Sequence, residues 1–390
     1  MSRIFKILFH PRHFIIVGLT LLLMVIIGKL SMNLSFLNPI VRAIENFSVT
    51  DMYYQIDKDT NQADSSQVIT IVDISDIKDR KAIALMIDSI QEANPAEIAF
   101  DVIFDGLQGD PEGSDSIVRA VSDIPNATYA YMMENYSDSL RSFTNLKRSF
   151  FLFDDLKLEG YVNVPESSNG SVVRTFSLSR VFKGNTIKSF PLQIANKYDG
   201  KDRSANEPDR IINFSYTIFP VVKYNQIGQN TDLLSNRIVL IGAMHDIVDN
   251  HYTPLQRISG VELVAYTTQT LLEKSNPVQF SKFWTWVITI LIIFVTELWQ
   301  YLFGRYVKTK KNLFCIYASK STIIVTVLTF FWMAFITYLN FLAFQKGSKS
   351  FNLLLPLMGI ALVGVSRDIE WAIRTFLIRK NKQKQLNKES

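Results

Sequence analysis

Six side chains in the middle of the chain have the types and spacing to meet at one site: Asp73 and Asp76, Asp101 and Asp105, and Asp249 with His251. Each group lies in or after an apolar run rich in β-branched residues, namely Val68–Ile74, Glu97–Phe104 and Arg237–Gly242. Such runs read as buried strands. Open α/β sheets bind ligands beyond the carboxyl ends of their strands, so these groups can converge on one crevice. Carboxylates beside an imidazole suit a divalent cation or a cationic ligand. The same aspartates also suit helix caps and pinned turns, the role Asp79 is placed to fill ahead of Ile83, Met86, Ile87 and Ile90. The pattern specifies no cofactor and no particular metal.

Other chemistry has little support. Of four histidines, His10 and His13 flank an apolar stretch, which leaves His245 and His251. There is no Gly-x-Ser-x-Gly elbow and no paired-histidine zinc motif. Gly106-Leu-Gln-Gly109 lacks the lysine of a phosphate loop and reads as a turn. No catalytic residue is assigned, and an enzyme is not expected. Outside the middle block, Glu297 and Arg367 interrupt apolar stretches at similar depth, about 21 and 24 Å along their helices by helical rise. Ionisable groups inside a bilayer have a partner or a role, so a Glu297–Arg367 pair is expected, unless both reach the headgroups by snorkelling.

The elements around these residues divide the chain by charge. From Asn33 to Lys282 there are 32 acidic and 23 basic residues, against 4 acidic and 18 basic in the two flanks, so the net +5 is a sum of opposites. The 48% apolar content points to a membrane. Four stretches are expected to cross, since about 20 apolar residues span a hydrocarbon core: 14–30, 283–303, 321–345 and 351–371. Lys and Arg stay on the cytoplasmic side. That rule makes 1–13 a cytoplasmic N-terminus, 304–320 a basic cytoplasmic loop, 346–350 an external turn and 372–390 a basic cytoplasmic tail. Residues 31–282 are then exported. No small-x-small site follows the first span, so it reads as an uncleaved anchor. The single cysteine, Cys315, falls in the cytoplasmic loop, and the exported block has no disulfide of its own.

Within that block the order is strand (68–74), helix closing at Asn94-Pro95, strand (97–104), helix (114–122) and strand (127–133), which implies parallel pairing. Further strands are expected at 160–164, 172–178, 210–214 and 237–242, with helices at 190–198 and from Val261 to Lys274. The fold class is therefore mixed α/β, a partly parallel sheet with flanking helices in an exported domain, plus four transmembrane helices, one N-terminal and three C-terminal.

Several segments in fixed order carry a family likeness: Asp51; Ile71-Val-Asp-Ile-Ser-Asp76 with Arg80; Pro95-Ala-Glu-Ile-Ala-Phe-Asp-Val-Ile-Phe104; Gly160-Tyr-Val-Asn163 with Val173-Arg174; Ser189-Phe-Pro191; Arg237–Gly242; Asp249-Asn-His-Tyr-Thr-Pro254; and Gly260-Val-Glu-Leu-Val-Ala265. From about Val49 to the C-terminal spans the chain resembles the type-two CHASE family, extracellular sensory modules of bacterial cyclases and histidine kinases. The resemblance implies an anchoring helix, a sensor and three further spans in the bacterial inner membrane. It specifies no ligand. The family's Trp/Pro stretch between the first strand and helix is missing, leaving the shorter link Ile77–Arg80. Too few residues follow the last span for the family's catalytic output.

The expectation is a sensor that binds a small ligand or an envelope protein and relays its state through the membrane helices to a separate cytoplasmic partner. Asp73, Asp76, Asp101, Asp105, Asp249 and His251 would form the pocket. A metal-dependent envelope enzyme and a structural subunit of an envelope complex are the alternatives. Expected partners are the lipid bilayer, a cytoplasmic or envelope protein and, as an option, a second copy. Nucleic acid is not among them, because the basic tail lacks interleaved aromatics and adjoins a span.

Overall fold

A computed structural model describes residues 8–33, 49–60, 63–106, 109–122, 124–137, 139, 142–151, 157–164, 172–203, 209–246, 248–309 and 322–389. Arg3, Lys6, Leu107, Gln108, Cys315 and the basic residues Lys310, Lys311 and Lys320 lie outside them, and so do the side chains of Lys382, Lys384 and Lys388. The chain forms two compact units, Asp51–Pro277 and Met1–Thr50 with Val278–Ser390.

The first unit opens with α2 (Val49–Thr60), which follows α1 (Pro11–Asn33) of the second unit. Its strands and helices then run β1 (Ile69–Asp73), α3 (Arg80–Glu92), β2 (Glu97–Phe100), α4 (Pro111–Ser122), β3 (Ala127–Ser137), β4 (Ser142–Lys147), β5 (Leu158–Tyr161), α5 (Phe190–Asp199), β6 (Val221–Lys223), β7 (Ile238–Gly242) and α6 (Gly260–Glu273). The sheet order is β6-β1-β7-β2-β3-β4, with β5 also pairing β3. All pairings are parallel except β3 with β4. The β1-α3-β2-α4-β3 succession is thus present, but β1 and β2 are not neighbours: β7, arriving from far along the sequence, lies between them.

Every residue of β1, β2 and β7 is buried, the mark of strands covered on both faces. Val72, Ile98, Phe100, Val239 and Ile241 share one core with Ile83, Met86, Ile87 and Ile90 of α3 and with Ile117, Ala120 and Val121 of α4. Ile71, Ala99 and Leu240, which point to the other face by the two-residue period, are fully buried too. There α5 packs on β2, β3 and β5, and α6 on β1 and β7. Asp79 caps α3 by accepting the Lys81 N–H. Gly160 permits the closest approach: a Cβ there would lie 2.4 Å from the Phe190 Cα, so α5 sits directly on β5.

Several expected strands are shorter than their apolar runs: 97–104 is strand only over Glu97–Phe100, and 160–164 only as far as Tyr161. Within 172–178 and 210–214 only Thr175–Phe176 and Arg210–Ile211 are strand, and they pair with each other rather than with the sheet. Phe176, Ile212 and Phe214 are nevertheless buried, so the apolar pattern reported burial and not sheet membership.

The second unit contains α1 with α7 (Lys282–Thr309), α8 (Thr322–Gly347) and α9 (Leu354–Glu389). Among the described residues three segments are long and apolar enough to cross a membrane: Pro11–Lys29, Lys282–Thr309 and Ile323–Gly347. The fourth expected span, 351–371, overlaps the 36-residue α9, which begins at Leu354 and carries Arg367, Asp368 and Glu370 within that span. It remains an expectation. Part of the expected loop 304–320 is helical, since α7 runs on to Thr309, and the expected turn 346–350 contains a short strand, Lys349–Ser350, paired with Val278–Gln279. Ile16, Val17 and Met24 of α1, Ile293 of α7 and Val363 of α9 form one core, closed where Gly359 leaves room for the Ile293 side chain.

Candidate functional site

Asp101 follows the last residue of β2, and its N–H donates to the Ile241 carbonyl at 2.8 Å, which fixes it beside β7. Its side chain opens into a cavity of about 630 Å³. The wall includes the carboxyl ends of β2, β3 and β5, the chain beyond β7 and the first turns of α6. This is where a mostly parallel sheet offers a crevice. Most of the lining is apolar, including Val102, Ile103, Met132, Phe176, Leu263 and Val264.

Asp249 and His251 lie on the same wall. The short strand Asn250–Tyr252 pairs with Arg257–Ser259, leading into the N-terminus of α6. The Asp249 carbonyl accepts the Gly260 N–H at 3.0 Å, and its carboxylate occupies the space left by the absent Gly260 Cβ, with Oδ2 only 2.0 Å from where that atom would stand. A negative group beside a helix N-terminus is favoured by the helix dipole. His251 Nε2 lies 3.0 Å from Asp249 Oδ1. Asp101 has no such support: among the described residues nothing donates to its carboxylate. Burial, reinforced by the Asp249 charge, pushes its pKa up to about 7.

The other three expected residues lie elsewhere. Asp73 pins two strand ends together, accepting the Ser75 hydroxyl and N–H and the Met244 N–H. Burial would raise its pKa, but these hydrogen bonds and His245 at 4.0 Å outweigh it and hold the carboxyl below its ordinary value. Asp76 is exposed in the following turn. Asp105, also exposed, pairs with Lys147 at 3.1 Å. The cause is local: the chain turns at residues 75–76 just after β1, and Asp105 stands four residues beyond Asp101, past the stretch that lines the crevice.

Two polar lining residues, Asp246 and Ser189, were outside the expected pocket set. Asp246 sits on the wall beyond β7. Ser189 precedes α5 at the N-cap but makes no capping bond, and its buried hydroxyl has no partner among the described residues. A serine before Phe-Pro at a helix start looks like an ordinary cap, and that disguised it. Among the described residues no three His, Cys, Asp or Glu side chains cluster closely enough to hold a metal ion.

Other motif residues brace the fold. Arg174 grips Asp51 of α2 through two nitrogens, Nε to Oδ1 at 2.9 Å among them. Buried Arg80 donates to Ser114 and to the Asp105 carbonyl. Asn163 clamps the Met133 backbone from both sides. A family model described as the CHASE2 domain matches residues 19–299, well over half of the chain. The chain belongs to the CHASE2 family. Neither a curated protein nor a solved structure matches it. CHASE2 domains are extracellular sensory domains rather than catalytic ones.

The helical unit of this CHASE2 protein has a polar cluster of its own. Glu297 of α7 is buried, and its Oε2 accepts Nε of Arg367 at 3.2 Å and a second bond from the same guanidinium. Its Oε1 lies 3.3 Å from Nδ1 of His13, also buried. Arg12 donates to Glu370 at 3.1 Å, and Thr20 to Ser366 at 2.8 Å. The sequence reading named Glu297 and Arg367 but treated His13 as a flanking residue. Only the packing of α1 against α7 and α9 brings it in.

Proposed function

We propose that this CHASE2 protein is a membrane-anchored sensor whose exported α/β unit binds a small ligand in the cavity beside Asp101. The membrane helices relay the occupied state to a separate cytoplasmic partner. The cavity carries the reading: about 630 Å³ of mostly apolar wall, with the Asp101 carboxylate at a strand end and no donor to it among the described residues. That size and composition suit a small organic molecule. Relay requires a ligand that distinguishes two states of the protein, with typical coupling of about 1–3 kcal/mol. The basic ends of α7 and α9, Arg305, Lys308, Arg374, Arg379 and Lys380, supply the inner contact surface of the proposal. Its location is the bacterial inner membrane, with both termini inside.

Ala130, buried on the cavity wall, provides the test. Ala130→Phe fills the space. Full-length protein in nanodiscs should release a small molecule on denaturation, detected by mass spectrometry, and the variant should lose it along with the change in cross-linked partners that the molecule causes. Identical small-molecule content and identical cross-linking in the two proteins refute the reading.

A further inference from the structure

We infer that the cavity takes an organic cation: a molecule with a positively charged head for Asp101, an apolar body, and a hydrogen-bonding group within reach of Ser189. This rests on the cavity being a ligand site, as proposed above, and adds the chemistry of its occupant.

The charge of the wall gives the sign. Asp101, Asp246 and Asp249 line the cavity, and among the described residues no Lys or Arg does. The one basic candidate, His251, is engaged with Asp249. A carboxylate without donors, close enough to a second one to feel its charge, is stabilised most by a cation that reaches it directly. Ser189 is the independent sign of a ligand. It is 3% exposed and lines the cavity, yet its hydroxyl bonds neither the turn it heads nor any other described group. Buried hydroxyls ordinarily have a partner, and an occupant of the cavity can supply one.

Competing chemistries fit less well. A bare divalent ion such as calcium takes six to eight oxygens, whereas no chelating cluster exists among the described residues. An anion would seek a helix N-terminus. The first turn of α6 is already closed by the reciprocal Ser259 and Glu262 bonds and by the Asp249 carboxylate, and the start of α5 carries Pro191, which has no N–H.

Three probes of one shape separate the possibilities on full-length protein in nanodiscs: tyramine, tyrosol and hydroxyphenylpropionate, with cationic, neutral and anionic heads. Calorimetry at pH 8 should show tyramine binding at least tenfold more tightly than either of the others. Asp101→Asn should remove that preference while tyrosol binding stays within twofold. If that variant does not fold, Asp249→Asn, which alters an exposed side chain, should reduce the preference severalfold. Equal binding of the three probes, or preference for the anion, overturns the cationic assignment and leaves the cavity a ligand site. No binding by any probe, in a protein whose Ala130→Phe variant also behaves as wild type, overturns both.

Discussion

Glu97 opens the short strand β2 and Asp101 follows its last residue, and burial raises both carboxyls in a way that pH exposes. Glu97 is fully buried; desolvation raises its pKa to about 8, although the Thr128 hydroxyl and Lys197 pull it back. Asp101 rises to about 7. An acid whose pKa rises on folding holds its proton more tightly in the folded state. Its stabilising contribution is therefore full below an unfolded pKa of about 4 and is lost as pH rises through 7 to 8. The exported unit should melt at progressively lower temperature across that window. Asp101→Asn should stabilise it by about 1–2 kcal/mol at pH 8.5 and by almost nothing at pH 4.5, a conservative fraction of the full shift because the carboxylate touches the cavity. Thermal melts of wild type and variant at the two pH values decide this, and a pH-independent difference contradicts it.

The elements hold the cavity open by close backbone approach. Gly160 lets the start of α5 rest on β5, and a methyl group there would meet backbone atoms of Ser189 and Phe190, which cannot rotate away. Gly160→Ala should cost about 1–3 kcal/mol or more, the scale of overpacking in a close-packed core. Amide exchange should quicken first in α5 and around Ser189, and uniform quickening across the sheet would assign Gly160 a different part. The three atoms nearest to a Gly260→Ala methyl all belong to the exposed carboxylate of Asp249, which can swing aside. Its melting temperature should fall little, while the His251 imidazole NMR signals shift because the Asp249 contact is lost.

At the level of the whole molecule, chain continuity suggests how an occupied cavity is felt. Gly260, Leu263, Val264 and Thr267 of α6 line the cavity, and the same helix leads through residues 274–281 into α7. On α7 the Glu297 carboxylate bonds Arg367 of α9 and lies beside His13 of α1. Breaking a buried ion pair from one side strands the other charge, typically at about 3–5 kcal/mol. Arg367→Gln should therefore loosen the helical unit, read as faster disulfide cross-linking between cysteines introduced on α1 and α9. Adding Glu297→Gln should recover part of the loss. Unchanged cross-linking in both variants would make the pair incidental. The proposed orientation has its own measurement: protease added to intact spheroplasts should cut within residues 50–280 and spare the tail after 372.

Periodicity and charge settled much of this protein in advance. Buried strands within 68–74, 97–104 and 237–242, helices closing at Asn94-Pro95, at 190–198 and from Val261, three of the four expected membrane-length helices and the contact between Glu297 and Arg367 were legible, because each depends on local pattern or on the cost of charge in an apolar medium. Tertiary structure decided the rest. Inserting β7 between β1 and β2 brings Asp249 and His251 to Asp101, while Asp73, Asp76 and Asp105, no less suitable by type, turn into bracing or solvent. Ser189 and His13 gained their places only when α5 met β5 and α1 met α7 and α9. A sequence states what each residue can bond, but which residues share a void is fixed by contacts between segments far apart along the chain, and no local pattern encodes those.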